Sequence, residues 1–178
     1  MERTLVALWF ADIAGYNTHA AKDESGALHL VQILQELASE RVPQFRGRIV
    51  KFVGDAVLAQ FPSAELAVRA AIALNNGYSH RSEAISPIGH LRIGVHLADV
   101  AIAPDGDLYG DGVNTASRIQ QAAEPGQVVI SQDVWRQLRG RSEFHFEHLG
   151  DRSLKGIGPI GLYVTIMESA VTSVSKEG

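Results

Sequence analysis

The sequence predicts an α+β fold: a ferredoxin-like βαββαβ core with additional C-terminal strands and helices. Three observations carry that expectation. Strand-like apolar runs and helical repeats alternate irregularly along the 178 residues. A hairpin, RIVKFV and AVLAQF around Gly54-Asp55, breaks the alternation near the middle. Two strand-like runs also close the chain without a helix between them, which disfavours a doubly wound parallel sheet. The length suits one domain with a sizeable core, assigned to residues 1–168, and the small, polar residues 169–178 read as a frayed tail.

The elements follow in order. TLVALWFA (Thr4 to Ala11) is a continuous run of strand formers that stops at Asp12. Asp23 is placed to cap a helix in which Leu30, Ile33, Leu34, Leu37 and Arg41 recur at helical spacing, with Pro43 ending the pattern. After the hairpin, Ser63 is placed to cap AELAVRAAIALNNGY, whose alanines suit close packing on a sheet. LRIGVHLADVAIA (Leu91 to Ala103) reads as one strand or as two joined at Ala98-Asp99. DGDLYGDG is a loop by composition, and VNTASRIQQAA is a helix with Asp111 as a candidate cap. QVVI is a strand, Ser131 a candidate cap for the short helix QDVWRQL, and FHFEHL and IGLYVTIM two closing strands.

Composition narrows the function. A net charge of −4 gives no broad basic surface for nucleic acid. Without cysteine, disulfides, thiolate catalysis and Cys-based zinc sites are excluded. No apolar run reaches the roughly 18 residues that a bilayer span needs, so no membrane partner and a cytoplasmic location are expected. Several motif matches fail on context. KGIGPIG contains G-x-G-x-x-G, but Pro159 lies inside it and a strand follows where a dinucleotide site needs a helix. DGDLYGDG lacks the closing glutamate of a calcium loop. His145 and His148 belong to no H-E-x-x-H, no P-loop is present, and Trp9 and Trp135 read as core.

Two constellations remain. Asp12 follows a buried strand directly and Asp55 sits at a hairpin tip. If the first strand lies beside the hairpin, the two carboxylates meet at one edge of the sheet, where they can hold hard divalent cations against a phosphate. Taken singly, each aspartate is equally a turn former. In DLYGDGVNTASR, Asn114 and Arg118 share one helix face and can grip a sugar and a phosphate, although either alone also suits a solvated surface.

FADIAGY, KFVGDAV and DLYGDGVNTASR, in this order and spacing, with LKGIGPIGLYV closing the chain, resemble the class III nucleotide cyclase catalytic domain. The resemblance runs from about Leu5 to Met167 and implies that family's fold. It implies that Asp12, Asp55 and the Ile13 carbonyl hold two divalent cations, Mg²⁺ or Mn²⁺. Lys51 and Asp107 match the base-selecting pair, Asn114 the residue that orients the ribose, Arg118 the transition-state arginine, and Lys155 a lysine that contacts the terminal phosphates. It also implies a homodimer with two composite active sites, one chain giving the metal aspartates and its partner the base pair, Asn and Arg.

Chemistry sets the expected base. Lys51 only donates and ionised Asp107 only accepts, which fits the N1 acceptor and N6 donor of adenine and opposes the edge of guanine. The expected reaction is conversion of ATP to cyclic AMP and pyrophosphate. The alternatives are a catalytically silent cyclase-like binding or regulatory module and, disfavoured by Lys51 and Asp107, a guanylate cyclase. The chain departs from the family pattern at Leu97-Ala98, where a small residue and glycine are common, and at Tyr16, where phenylalanine is common. No sensor domain is visible before Thr4, so a regulatory domain is expected outside this chain if there is one.

Overall fold

A computed structural model describes residues 2–83 and 90–166. The proposed tail, 169–178, lies outside the described residues. Thirteen elements follow one another: β1 (Glu2–Ile13), α1 (Tyr16–Lys22), α2 (Glu24–Gln44), β2 (Arg48–Val53), β3 (Ala56–Phe61), α3 (Ala64–Ser82), β4 (Leu91–Ile102), β5 (Leu108–Tyr109), α4 (Asp111–Ala122), β6 (Val128–Ser131), α5 (Gln132–Leu138), β7 (Phe146–Leu154) and β8 (Gly158–Thr165).

The strands form one sheet in the order β2-β3-β1-β4-β6-β8-β7, with the two-residue β5 paired to β4. β3 lies between β1 and β2 and is antiparallel to both, and β1 in turn lies between β3 and β4. These are the two split βαβ units of the ferredoxin-like core, as the sequence predicts. β6 then adds parallel to β4, and β8 and β7 continue antiparallel.

The sheet is buried on both faces. On one, Trp9, Phe61, Ile93 and Val95 pack with α2, α3 and α5 through Leu34, Leu37, Leu74, Tyr78 and Leu138. On the other, Val6, Leu8, Leu58 and Val100 pack beneath Leu108 and Ala116, and Ile119 of α4 and Ala123 just beyond it pack on Leu154 and Leu162. Burial on both faces explains why β1 and β4 read as unbroken apolar runs in place of a strict alternation.

The caps at Asp23, Ser63 and Ser131 form as expected, each side chain accepting a backbone N–H of the first turn. Two expectations, at Pro43 and Asp111, need correction, and three further features resolve or extend the sequence reading. Pro43 does not end α2 but sits in its last turn, and the stop comes at Gln44, beyond which Arg46 takes a left-handed φ of 61°. Leu91 to Ile102 is one strand, because β1 pairs with it along its whole length. Asp111 is not the cap of α4: Gly110, at φ 142°, takes that position and Asp111 is the first helical residue. The short α1, which the sequence reading left unassigned, leaves β1 through Gly15 at φ 69°. The DGDLYGDG loop also carries the β5 bridge.

Candidate active site

The register of β1 builds the acid pair. Asp12 lies opposite Ala56 on β3 and Arg92 on β4, so the Gly54-Asp55 turn joining β2 to β3 is brought beside the end of β1. Gly54 takes φ 57°, a conformation that favours glycine, and this lets the turn present Asp55 inward. One Asp55 carboxylate oxygen accepts the Ile13 N–H at 3.2 Å. The first strand and the hairpin therefore meet as expected, with Asp12, Ile13 and Asp55 at one edge of the sheet.

The charges confirm the closeness of the acids. Burial pushes the Asp55 carboxyl above its ordinary range, the Ile13 N–H opposes the shift, and the negative charge of Asp12 adds to it. Arg92 sits on the same corner, its Nε 3.0 Å and its Nη2 2.7 Å from the two oxygens of Asp12. This bidentate pair holds the guanidinium even more firmly protonated. The sequence reading missed Arg92. The signal that finds it is register: a basic residue directly opposite Asp12 on the neighbouring strand.

The donor set suits a hard cation. Two carboxylates and main-chain oxygen are the ligands Mg²⁺ and Mn²⁺ prefer, and their mutual repulsion marks negative charge that Arg92 does not fully balance. Among the described residues no group of three or more His, Cys, Asp or Glu gathers at one point. Further ligands must then be water or phosphate oxygens, the usual arrangement for Mg²⁺.

Lys51 and Asp107 also meet. Lys51 Nζ lies 3.1 Å from an Asp107 carboxylate oxygen across 56 residues of sequence. A β-bulge makes this possible. Ile49 stands opposite Ala59 and packs on the helix-rich face, and simple alternation would point Lys51 the same way. The register shift between them puts Lys51 opposite Leu58 on the α4 face. The loop after β4 returns over that face, held by Arg48 on the Gly106 carbonyl at 2.7 Å. The backbone N–H of Leu108, then the Lys51 ammonium, keep the Asp107 carboxyl below its ordinary range.

α4 lies along β4 with its backbone unusually close. A Cβ at Gly94 would collide with the main chain of Gln120, and one at Gly112 with the methyl of Ala98. The departure at Ala98 is thus accommodated by the absence of a side chain at Gly112. α4 presents Asn114 exposed and Arg118 half-buried, and Arg118 Nη1 donates to Gln121 Oε1 at 3.0 Å while its Nε is buried without a partner among the described residues. The chain does not join Asn114 or Arg118 to the acid pair: no hydrogen bond or ion pair links them among the described residues. Lys155 is exposed in the β7–β8 turn, remote in topology from β1 and β3, and makes no ion pair among the described residues. No helix among the described residues is long and apolar enough to cross a membrane.

The sequence profile of the adenylate and guanylate cyclase catalytic domain matches residues 2–167. A candidate adenylate cyclase of Rhizobium meliloti (strain 1021) is 35% identical over 160 residues, which cover 88% of this chain and 27% of that protein. The chain thus spans about a quarter of that relative's length. The crystal structure of an adenylate/guanylate cyclase/hydrolase from Silicibacter pomeroyi superposes with a TM-score of 0.80 at 31% identity, covering 95% of this chain and all of the other. The adenylyl cyclase CyaB of P. aeruginosa shares the fold, with a TM-score of 0.83 at 23% identity over 95% of this chain and 97% of the other.

Proposed function

The chain belongs to the adenylate and guanylate cyclase catalytic domain family, and from that premise we propose that it is an adenylate cyclase, converting ATP to 3′,5′-cyclic AMP and pyrophosphate at two sites shared across a homodimer. The observation that carries the choice of ATP is the Lys51–Asp107 pair, a donor and an acceptor held side by side at 3.1 Å. Adenine fits that order: its N1 accepts from the ammonium and its N6 amine donates to the carboxylate. With its pKa depressed, Asp107 remains an acceptor at neutral pH. Guanine offers the reverse polarity at the same place and would leave both groups facing like partners.

Asp12, Asp55 and the Ile13 carbonyl would hold two Mg²⁺ or Mn²⁺ ions, which when bound supply charge neutralisation and ease loss of the ribose 3′-hydroxyl proton. Arg92 holds the Asp12 carboxylate in place through two hydrogen bonds. Asn114 fixes the sugar for in-line attack on the α-phosphorus, Arg118 stabilises the charge that develops there, and Lys155 meets the terminal phosphates. Catalysis is then mainly positioning and electrostatics.

One observation supports a shared site: among the described residues no hydrogen bond or ion pair joins the acid pair to Asn114 or Arg118, and a second copy would supply the complement. Large apolar side chains left exposed on β2 and β5, Phe52, Val53 and Tyr109, offer surface for that association.

The test is an incubation of purified protein with ATP or GTP and Mn²⁺, identifying the cyclic product. Cyclic AMP as the main product is expected. Cyclic GMP as the main product would overturn the base assignment, and no product from either nucleotide at high protein concentration would make the chain a binding module.

A further inference from the structure

A fully buried hydroxyl on α3 has no hydrogen-bond partner among the described residues. It is the Oη of Tyr78, a residue with 0% exposure. Such a group is uncommon, because a buried donor without a partner costs stability that a phenylalanine in the same space would avoid.

Its position is well determined. α3 begins beyond Phe61, at the far end of β3, and its Leu74 and Tyr78 belong to the buried cluster of β1, β3 and β4. Asn75, one turn before Tyr78, donates to the Gly126 carbonyl at 3.1 Å, and the Gly126 N–H donates to the Leu91 carbonyl at 2.8 Å. These bonds fix this part of α3 beside the start of β4. The Tyr78 ring belongs to the same buried cluster as Ile13, Val57 and Leu91, and Ile13 is the residue whose N–H holds Asp55.

We propose that Tyr78 is a positioning residue for Asp55: through one water, its hydroxyl hydrogen-bonds the Asp55 carboxylate and holds it in the orientation that receives a divalent cation. A carboxylate accepts several hydrogen bonds at once, so the Ile13 N–H does not exhaust it. Burial, and then the negative charge of Asp55, raise the hydroxyl's pKa, so it stays a donor throughout the working pH range. The inference rests on the reading that Asp55 is a cation ligand.

The test compares wild type, Tyr78→Phe and Asp55→Asn in the full chain. Mn²⁺ binding without nucleotide is read from loss of the free-ion electron paramagnetic resonance signal, and folding from the melting temperature. Tyr78→Phe should melt at or above the wild-type temperature and bind Mn²⁺ about tenfold more weakly, in the range expected for a hydrogen bond to a charged group. Asp55→Asn should lose binding. If Asp55→Asn loses binding while Tyr78→Phe binds as tightly as wild type, the role of Tyr78 is overturned and the metal-site reading stands. If Asp55→Asn binds like wild type, the metal-site reading fails and the role of Tyr78 falls with it.

Discussion

In the proposed function substrate choice turns on Lys51 and Asp107, and each is partly open to solvent. Replacing the lysine reverses the hydrogen-bonding sense at one end of the base. Lys51→Glu should cut cyclic AMP formation by about ten- to a hundredfold, the usual cost of unpaired polar groups facing the wrong edge, and raise the share of cyclic GMP when ATP and GTP compete. An unchanged product ratio would remove this pair from the specificity determinants. A second residue-scale prediction concerns His96, which is buried on β4 with its Nδ1 2.8 Å from Ser131 Oγ. Burial lowers the His96 pKa, against a smaller upward pull from Asp133. The unfolded chain therefore binds a proton near pH 6.5 that the folded chain accepts only at lower pH. Between those values stability rises with pH, and it is lost as pH falls below about 6.5, with a limiting slope of about 1.4 kcal/mol per pH unit. Urea midpoints at pH 7.5 and 5.5 should differ less in His96→Gln than in wild type; equal differences would place the sensitivity elsewhere.

At the scale of elements, the seat of α4 on β4 decides whether Asn114 and Arg118 are correctly placed. Gly94 lies against the main chain of Gln120, where no rotamer change makes room. Gly94→Ala must push the helix away from the sheet, and an expected destabilisation of about 1–3 kcal/mol should appear as a lower urea midpoint with reduced turnover. A midpoint matching wild type would mean that α4 is seated less tightly than its geometry implies. The hairpin is the other deciding element. Its turn sends Asp55 to the acid pair, while the bulge in β2 sends Lys51 to Asp107 on the α4 face. Two residues separated by a single tight turn thereby join separate groups of side chains.

At the scale of the whole molecule, that separation predicts complementation. Asp55→Ala and Asn114→Ala should each be nearly inactive alone. Mixed and allowed to exchange, they form mixed dimers as half of the total, each with one intact site of two, so activity should return to about a quarter of wild type. No recovery, with mixed dimers demonstrated by native mass spectrometry, would count against sites shared between chains. Dilution gives a second measure: specific activity should fall as protein concentration drops below the dimer dissociation constant, and a flat profile there would argue for a complete site in one chain.

Local chemistry was enough to determine much of this protein. Apolar runs, capping residues and the Gly54-Asp55 turn specified the βαββαβ core, because strand burial, cap hydrogen bonds and left-handed turns are short-range demands on residue type. The motifs likewise named Asp12, Asp55, Lys51 and Asp107 before any of them could be seen to touch. Three things waited for the tertiary structure. Arg92 joins Asp12 only through the β1–β4 register, Lys51 reaches Asp107 only because a bulge shifts it off the alternation, and Tyr78 joins the buried cluster of Ile13 and Val57 only because α3 packs on the sheet. Each depends on pairing between segments far apart in sequence, which no local pattern of residues encodes.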